Sequence, residues 1–335
     1  MSRSHVFLSA PGYVLGEIEV SHDEIDGLSE RAMKLKLAPQ PGLWGWGSVR
    51  RTDRSLEELA VETGRATIAA AVVDPDTVDL LVLCSTRFPG GAETHGGFVE
   101  TIMTGIGLTR ADFVGVTLNR CTNLLSAVRV AQAHVSAGLA RRTLVITTDR
   151  VADESTRMES FALFSDGAAS CLVDREPLGS DRYELVGSAS ATEAGALEWS
   201  NEISSDLSRQ VNEELLSSRG LTTRDLAGLS QANIFLPLVI MKELQAGFAK
   251  EQIYTTNIAR FGHCFAADPL INLVDRQEAG IDVGSLHLLA ASVPGSRFAV
   301  LLRRCAAPAP GDEETGAPSP QPSAAPPVQY AFHTG

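Results

Sequence analysis

The chain has 335 residues, of which 44% are hydrophobic and 21% are charged, proportions that are ordinary for a folded globular protein. Its formal net charge of −13 argues against binding to nucleic acid or to an anionic membrane surface. No apolar run reaches the ~18 residues of a membrane-spanning helix, and the five cysteines include no CxxC pair. We therefore expect a cytoplasmic protein with reduced thiols.

The first half of the chain alternates short apolar runs with a helical pattern. Residues 79–84 are typical of a buried parallel strand, and residues 113–120 indicate a second buried strand. A helix is predicted over 121–140, followed by strands at 143–147 and 168–173. The helix prediction rests on apolar residues at helical spacing: Leu124, Val128, Ala131, Val135 and Leu139.

The second half shows a similar order of elements. An apolar run at 226–230 precedes a predicted helix at 235–248, and residues 254–258 lead into a turn. A further helix is predicted from about Pro269, followed by strands at 286–290 and 298–302. The spacing from Cys121 to His263 is 142 residues, and that from Thr143 to His287 is 144. This near-constant spacing suggests a duplicated βα architecture with parallel strands.

Cys121 lies at the junction between a predicted strand and a predicted helix. The first turn of a helix offers unpaired N–H groups and the positive end of the helix dipole. Both favour a thiolate, which is the form of cysteine that attacks carbonyl carbon. The alternative is a small buried thiol with a packing role.

His263 occupies the corresponding turn of the second half, between a predicted strand and the helix that begins near Pro269. If the halves pack about a pseudo-twofold axis, the two turns face each other, and Cys121 and His263 form a nucleophile and its base. Asp268 is a candidate third member, although an N-cap role for the next helix explains it more simply. No metal site is predicted, because no Cys/His cluster has ligand spacing.

The tail after residue 305 holds seven of the sixteen prolines and is predicted to be disordered. We therefore divide the chain into a first half over 1–178, a second half over 179–305 and a tail over 306–335. There is no P-loop, no GxGxxG after a strand and no GxSxG motif, so nucleotide binding and serine hydrolysis have no support.

Four motifs, in order, resemble those of β-ketoacyl-acyl-carrier-protein synthase III and related acyltransferases of the thiolase superfamily. The Cys121 junction is similar to the family's nucleophile, and Phe164-Ser-Asp-Gly-Ala-Ala169 resembles its Phe-Gly-Asp-Gly-Ala-Gly segment. Leu229-Ser-Gln-Ala-Asn233 resembles its His-Gln-Ala-Asn motif. Phe261-Gly-His-Cys-Phe-Ala-Ala267 resembles its Tyr-Gly-Asn-Thr-Ser-Ala-Ala. The resemblance covers roughly residues 4–305.

The resemblance implies an α/β thiolase-like fold, five-layered αβαβα with two pseudo-duplicated halves, and a homodimer. It implies an acyl group carried on Cys121 as a thioester, supplied by acyl-coenzyme A or by the phosphopantetheine of an acyl carrier protein, with no permanently bound cofactor. Trp46, Arg50 and Arg51 lie in a segment that resembles the one whose Trp and Arg contact coenzyme A; a surface loop is the alternative.

Two family positions that matter for decarboxylation are changed. The family uses a His and an Asn to hold the thioester carbonyl of the extender, and here Ser230 and His263 stand at those positions. The loss of one such donor lowers rates by ~10²–10³. Ser230 and Asn233, the latter matching the Asn of the family motif, remain possible supporting residues.

Two further departures concern the oxyanion hole and the turn around the nucleophile. Pro294 falls where a family backbone N–H helps to form the oxyanion hole, and proline has no N–H. The N–H groups of Cys121 and Gly295 are candidate replacements. Thr122 and Asn123 replace the family's small residues beside the nucleophile.

The sequence therefore favours an acyltransferase that moves an acyl group from Cys121 to a hydroxyl, amine or thiol of a small acceptor, in secondary metabolism. A decarboxylating ketosynthase, in which His263 acts alone, is the first alternative. A catalytically silent partner subunit of another ketosynthase is the second, and a thioester hydrolase is the third.

Overall fold

Apolar runs form strands and amphipathic segments form helices within residues 5–199 and 202–307, which the computed structural model describes. The strands are β1 Phe7–Leu15, β2 Ile18–Ser21, β3 Ser48–Arg51, β4 Leu80–Cys84, β5 Asp112–Val116, β6 Arg142–Asp149, β7 Gly167–Asp174, β8 Arg182–Thr192, β9 Gly228–Gln231, β10 Leu286–Val293 and β11 Ser296–Arg304. The helices are α1 Leu28–Lys34, α2 Pro41–Trp44, α3 Leu56–Ala71, α4 Ala92–Ile106, α5 Asn123–Ala137, α6 Ser205–Ser217, α7 Leu236–Gln245, α8 Thr256–Phe261 and α9 Asp268–Glu278.

The large sheet is mixed, with the strand order β5-β4-β6-β7-β1-β8-β11-β10-β9. Strand β4 is parallel to both β5 and β6, and β9 is parallel to β10, whereas the other neighbours are antiparallel. The two halves of the sheet meet where β1 pairs with β8 over three residue pairs, from Phe7–Glu184 to Ser9–Arg182. Strands β2 and β3 form a separate antiparallel pair.

The second half repeats the strand order of the first. Reading inward from the outer edge, β5, β4, β6, β7 and β1 correspond to Ile253, β9, β10, β11 and β8, where Ile253 makes a single parallel bridge to Leu229 of β9. Helices α5 and α9 each follow the outermost position of their half. The duplicated architecture predicted from the sequence spacing is therefore confirmed. The prediction of parallel strands is wrong for most of the sheet, because among the described strands only β4 with β5 and β6, and β9 with β10, run parallel.

Three apolar clusters separate the five layers. In the first half, α3 and α4 cover one face of the sheet, through Ile68 and Ile102 against Leu81 and Leu144. Helices α5 and α9 form the middle layer and pack against both halves of the sheet, for example Leu124 and Leu270. In the second half, α6 and α7 cover the remaining face. The αβαβα thiolase-like fold is confirmed.

Two local predictions need correction. The strand predicted at 113–120 ends at Val116, and it is not buried, because it is the edge strand of the sheet and Phe113 is 57% exposed. Residues 254–258 contribute the beginning of α8, since pairing with β9 is limited to the Ile253 bridge.

The boundary between the halves at 178–179 stays a prediction. The predicted disordered tail lies outside the described residues from 308 onward. No helix in the described ranges combines the length and the apolar character needed to cross a membrane.

Gly262 gives a direct test of how the chain enters the turn at His263. Its φ of +68° and ψ of −148° suit glycine, and an added Cβ would lie 2.5 Å from the carbonyl oxygen of Leu163. We expect Gly262→Ala to lower the free energy of unfolding by about 3 kcal/mol or more, because steric clash adds to backbone strain. Gly220→Ala is the matched control, with φ +69° and open space around its Cβ, and should lose about 1 kcal/mol. If urea denaturation shows equal losses of unfolding free energy in the two variants, the close approach of residue 262 to the Leu163 carbonyl would be contradicted.

Candidate active site

The chain reverses direction between β5 and α5, and Cys121 lies in this turn. Arg120 adopts a left-handed φ of +52°, and Arg120–Thr122 form a short 3₁₀ turn before α5 begins at Asn123. The Asn123 side chain accepts a hydrogen bond from the Asn119 N–H at 3.0 Å and donates one to the Ser85 carbonyl at 3.1 Å. Cys121 is therefore held just before the helix, and not within its first turn as predicted.

His263 lies between α8 and α9, so it follows a helix and not the predicted strand. Its backbone is fixed by the first half of the molecule, through an N–H donated to the Leu163 carbonyl at 2.8 Å and a carbonyl that accepts the Ser165 N–H at 2.9 Å. These bonds bring the turn of the second half against the turn that carries Cys121.

Three buried side chains form a continuous hydrogen-bonded chain. His263 Nε2 lies 3.3 Å from Cys121 Sγ, and His263 Nδ1 is hydrogen-bonded to Asp268 Oδ2. The Asp268 carboxylate also accepts the backbone N–H of Asn233 at 2.6 Å and that of Cys264 at 2.7 Å. The N-cap role expected for Asp268 is wrong, because α9 begins at Asp268 itself and its side chain makes no capping bond.

The charges around His263 favour the protonated form of its imidazole. Burial opposes the imidazolium, but the Asp268 carboxylate and the neighbouring Cys121 outweigh it and raise the pKa of His263 from 6.5 to about 10. A group with a raised pKa stabilises the folded protein fully below about pH 6.5, and this contribution is lost as the pH rises through about 10. At neutral pH, His263 therefore carries a proton that it can transfer.

Aromatic rings enclose the imidazole on its outer side. The ring centroids of Phe164, Phe161 and Phe265 lie 5.0, 6.4 and 6.1 Å from that of His263. Phe161 contacts Trp199 at 5.3 Å. This apolar wall limits access of water and strengthens the electrostatic interactions inside.

Ser230 and Asn233 were expected to support the site. Both are buried, Ser230 in β9 and Asn233 just after it. Ser230 Oγ and Asn233 Nδ2 have no hydrogen-bond partner among the described residues, while Asn233 Oδ1 accepts the Asn272 amide at 2.9 Å. Two buried donors thus remain without a partner, and such groups are uncommon enough to call for an explanation. Their roles stay proposals.

The predicted donor-binding residues lie around β3. Arg50 and Arg51 form ion pairs with Glu19 at 2.6 Å and Glu154 at 3.4 Å. The centroid of the Trp46 ring lies 5.9 Å from that of the Phe235 ring. The backbone N–H of Phe235 donates a hydrogen bond to the Phe161 carbonyl. Trp46 is thus connected through Phe235 to Phe161, whose ring contacts His263. Contact of the two arginines with a donor stays a prediction.

Sequence reasoning missed the contacts of Arg120. Its Nη2 donates to the carbonyls of Leu197 and Pro294, both at 3.1 Å, and its guanidinium lies 5.7 Å from the Trp199 ring. Pro294 and Gly295 form the turn between β10 and β11, with Gly295 at φ +67°. The signal in the sequence was a large basic residue where the family has small ones.

Comparison with known proteins relates part of this sequence to one enzyme family. The family model of 3-oxoacyl-[acyl-carrier-protein] synthase III matches residues 117–194. β-Ketoacyl-[acyl-carrier-protein] synthase III of Synechococcus sp. WH7803 is 30% identical over 142 residues, which are 42% of this chain and 39% of the relative. The enzyme of Rhodospirillum rubrum is 33% identical over 130 residues, 38% of this chain and 39% of that protein. The matched segments thus span about two fifths of these relatives.

Solved structures extend the likeness to nearly the whole fold. ChlB3, described as an acyltransferase, gives a TM-score of 0.77 at 18% identity, covering 90% of this chain and 98% of that one. The synthase III of Aquifex aeolicus gives 0.72 at 18% identity, with coverages of 89% and 99%. The priming β-ketosynthase of the R1128 polyketide pathway gives 0.71 at 18%, with coverages of 92% and 98%. The described part of the chain therefore shares the thiolase-like fold of these structures, and residues 117–194 match the synthase III family model.

The synthase-III-like chain differs from the family pattern in one chemically important way. In the motif resemblance, Ser230 stands at the position of the family's His and His263 at that of its Asn, and the structure shows His263 bonded to Cys121 and Asp268. Within the described ranges, no group of three or more His, Cys, Asp or Glu side chains is placed to hold a metal ion.

Asp268→Asn tests the electrostatic coupling in this synthase-III-like site. Loss of the carboxylate charge should lower the pKa of His263, so less imidazolium remains at pH 8 and Cys121 reacts about 10- to 100-fold more slowly with iodoacetamide. The rise of alkylation with pH should move to higher pH, because an imidazole that is less often charged stabilises the thiolate less. Asp275→Asn, a buried carboxylate of α9 that is paired with Arg260, should leave the profile in place. An unchanged profile for Asp268→Asn would contradict the coupling.

Proposed function

We propose that this protein is an acyltransferase that forms a thioester on Cys121 and passes the acyl group to a hydroxyl, amine or thiol. The observation that carries the proposal is the buried chain from Cys121 through His263 to Asp268, with Nε2 3.3 Å from the sulfur. A nucleophile, a base and an orienting carboxylate in this order are the parts that acyl transfer requires.

In the first half-reaction, the Cys121 thiolate attacks the thioester carbonyl of the donor. The carbon–sulfur bond of the donor breaks, and its thiolate leaves with the proton of the His263 imidazolium. The pKa of about 10 places this proton on His263 at neutral pH, close to the basicity of a leaving thiolate. Cys121 then carries the acyl group, and His263 is neutral.

In the second half-reaction, neutral His263 accepts the proton of the incoming acceptor. The acceptor oxygen, nitrogen or sulfur attacks the acyl carbon, and the bond to Cys121 Sγ breaks. The imidazolium and the thiolate are re-formed together, so no proton is gained or lost by the enzyme over the cycle. Asp268 keeps Nε2 directed at the sulfur throughout, because it holds Nδ1.

The donor is proposed to be acyl-coenzyme A or an acylated carrier protein, in secondary metabolism. Support comes from the contact of Trp46 with Phe235, which is hydrogen-bonded through its backbone to Phe161 beside His263, and from the acyltransferase description of ChlB3. In this proposal, Trp46, Arg50 and Arg51 line the approach of the phosphopantetheine arm. No permanently bound cofactor is needed, because the sulfur of Cys121 carries the group.

A decarboxylating ketosynthase is the second candidate, and the unsatisfied donors Ser230 Oγ and Asn233 Nδ2 favour it. They offer hydrogen bonds to a developing enolate in place of the family's His and Asn. The priming ketosynthase and synthase III structures share the fold, but His263 is already engaged by Asp268. A silent subunit is disfavoured by the intact pair of Cys121 and His263.

A homodimer is proposed from the edge of the sheet. Strand β5 has a sheet neighbour on one side within the described ranges, and large apolar side chains are exposed at or near this edge: Phe113 57%, Leu118 91% and Leu139 75%. Antiparallel pairing of two β5 strands would cover both the backbone groups and these side chains.

His263→Asn tests the role of the base. It keeps a hydrogen-bonding side chain but removes the proton acceptor, so we expect acyl transfer to fall by about 10²- to 10⁴-fold. The measurement is release of free coenzyme A or carrier thiol, followed chromatographically with and without acceptor. His287→Asn, a buried strand histidine bonded to Ser285, is the control and should retain activity. Full activity of His263→Asn would refute the assignment.

Sedimentation equilibrium tests the dimer. The wild-type protein should sediment at twice the chain mass of 35.6 kDa, and Phe113→Asp should shift it toward monomer because it places charge in the proposed contact. Val283→Asp, at a residue that is 63% exposed elsewhere, should remain dimeric. A wild-type monomer at micromolar concentration would contradict the proposal.

A further inference from the structure

Arg120 combines three properties that are unusual for a structural arginine. It directly precedes the nucleophile, it is half-buried, and none of the described carboxylates forms an ion pair with it. Its Nη2 is used by the carbonyls of Leu197 and Pro294, while Nε and Nη1 have no partner within the described residues. A guanidinium cannot lose its charge, so the wall of the site keeps an unneutralised cation.

A series of side-chain contacts connects this cation to the reacting sulfur. The Arg120 guanidinium lies over the Trp199 ring, Trp199 contacts Phe161, and Phe161 contacts His263, which is bonded to Cys121. Arg120 also directly precedes Cys121 in the chain. An acyl group on Cys121 Sγ that extends along these two aromatic rings would reach the guanidinium.

A second group of cationic side chains lies near the turn between β10 and β11, which contains Pro294. Lys242 and Arg297 share the single carboxylate of Glu243, at 3.0 and 2.8 Å, and both bond to Ser292 Oγ. All four side chains are buried, and Arg297 Nε has no hydrogen-bond partner among the described residues. Ser292 lies two residues before Pro294, whose carbonyl binds Arg120.

The buried side chains beside the turn between β10 and β11 thus include two basic groups, Lys242 and Arg297, for the one carboxylate of Glu243, in a protein whose formal net charge is −13. A buried charge that is not neutralised is costly, and an anionic ligand offsets that cost. Glu198 is near Arg120 in sequence but is solvent-exposed and makes no ion pair with it. The local field therefore favours an anion at the acyl end of the site.

We propose that the acyl group carried by Cys121 ends in a carboxylate, so that the donor is a dicarboxylic acid monothioester, and that Arg120 binds this carboxylate. The proposal rests on the acyltransferase function proposed above and names its substrate class. The free Nε and Nη1 supply the donors, and charge-assisted hydrogen bonds of this kind are about twice as strong as neutral ones. The carboxylate is retained during transfer, because only the thioester bond breaks.

The test compares donors of equal chain length with and without the terminal carboxylate. Succinyl-coenzyme A is matched with butyryl-coenzyme A, and malonyl-coenzyme A with propionyl-coenzyme A. Intact-protein mass spectrometry measures the rate of acylation of Cys121. We expect the wild type to load at least one dicarboxylic donor tenfold or more faster than its neutral match. In Arg120→Gln, that preference should fall about 10- to 100-fold, while neutral donors change by less than about threefold.

Arg129→Gln is the matched control. Arg129 lies 5.7 Å from the Phe298 ring, as Arg120 does from Trp199, and bonds to Ser190, while no carboxylate in the described part of the chain pairs with it. It should keep the wild-type preference. Iodoacetamide labelling of Cys121 in Arg120→Gln confirms that the site is intact.

The outcomes separate this proposal from the one on which it rests. Equal loading of the paired donors by wild type, or an equal loss for both in Arg120→Gln, would overturn the carboxylate site and leave the acyltransferase intact. Absence of any acyl adduct on a Cys121 that iodoacetamide still labels would overturn both.

Discussion

The hydrogen-bonded chain from Asp268 through His263 to Cys121 is the interaction on which the site depends. All three side chains are buried, so each charge must be neutralised or hydrogen-bonded by groups within the protein. The Asp268 carboxylate is hydrogen-bonded to the imidazole and accepts two backbone N–H groups, those of Cys264 and Asn233. The carboxylate thereby links the turn after β9 to the turn before α9, and a small displacement of either would misdirect the imidazole.

The duplicated fold explains why the two reacting groups meet. The middle helices α5 and α9 are preceded by equivalent turns, and each turn contains a non-glycine residue with positive φ: Arg120 in one and Phe265 in the other. The backbone bonds of His263 to Leu163 and Ser165 lock the second turn onto the first half. Strained turns at an active site are sustained by surrounding structure of this kind.

The change of chemistry proposed here follows from moving one histidine. In the family pattern that the chain resembles, a His in the β9 motif faces an Asn in the α9 turn, and both act as donors to an enolate. Here Ser230 remains a neutral hydroxyl, whereas His263 has a carboxylate behind it and a sulfur in front of it. A proton acceptor with this pairing serves a nucleophile and an acceptor hydroxyl or amine better than it serves decarboxylation.

Much of this arrangement was predictable from the sequence. The repeated order of strands and helices predicted the duplicated architecture, the resemblance to synthase III implied the five layers, and the spacing between Cys121 and His263 predicted their meeting. The role of Asp268 was underestimated, because an Asp before a Pro is a common helix start and the sequence does not show that its carboxylate points backward to His263. The edge position of β5 was missed, since an apolar run does not reveal whether both sides of a strand are paired.

The contacts of Arg120 were also beyond sequence reasoning. They join three segments separated by 77 and 174 residues, and such distances leave no local pattern. The same holds for the cluster of Lys242, Glu243 and Arg297, whose charges meet only because α7 packs on the β10–β11 hairpin. Buried charges on the wall of a site are set by tertiary packing and not by periodicity.

The most direct test of the central claim is intact-protein mass spectrometry after incubation with acyl-coenzyme A and acyl-carrier-protein thioesters, malonyl donors included, followed by peptide mapping. The account predicts an acyl adduct on Cys121 that disappears in Cys121→Ala and persists in Cys264→Ala, with the malonyl mass retained. Loss of carbon dioxide from the malonyl adduct would instead support a ketosynthase. No adduct on Cys121 with any donor would contradict the account.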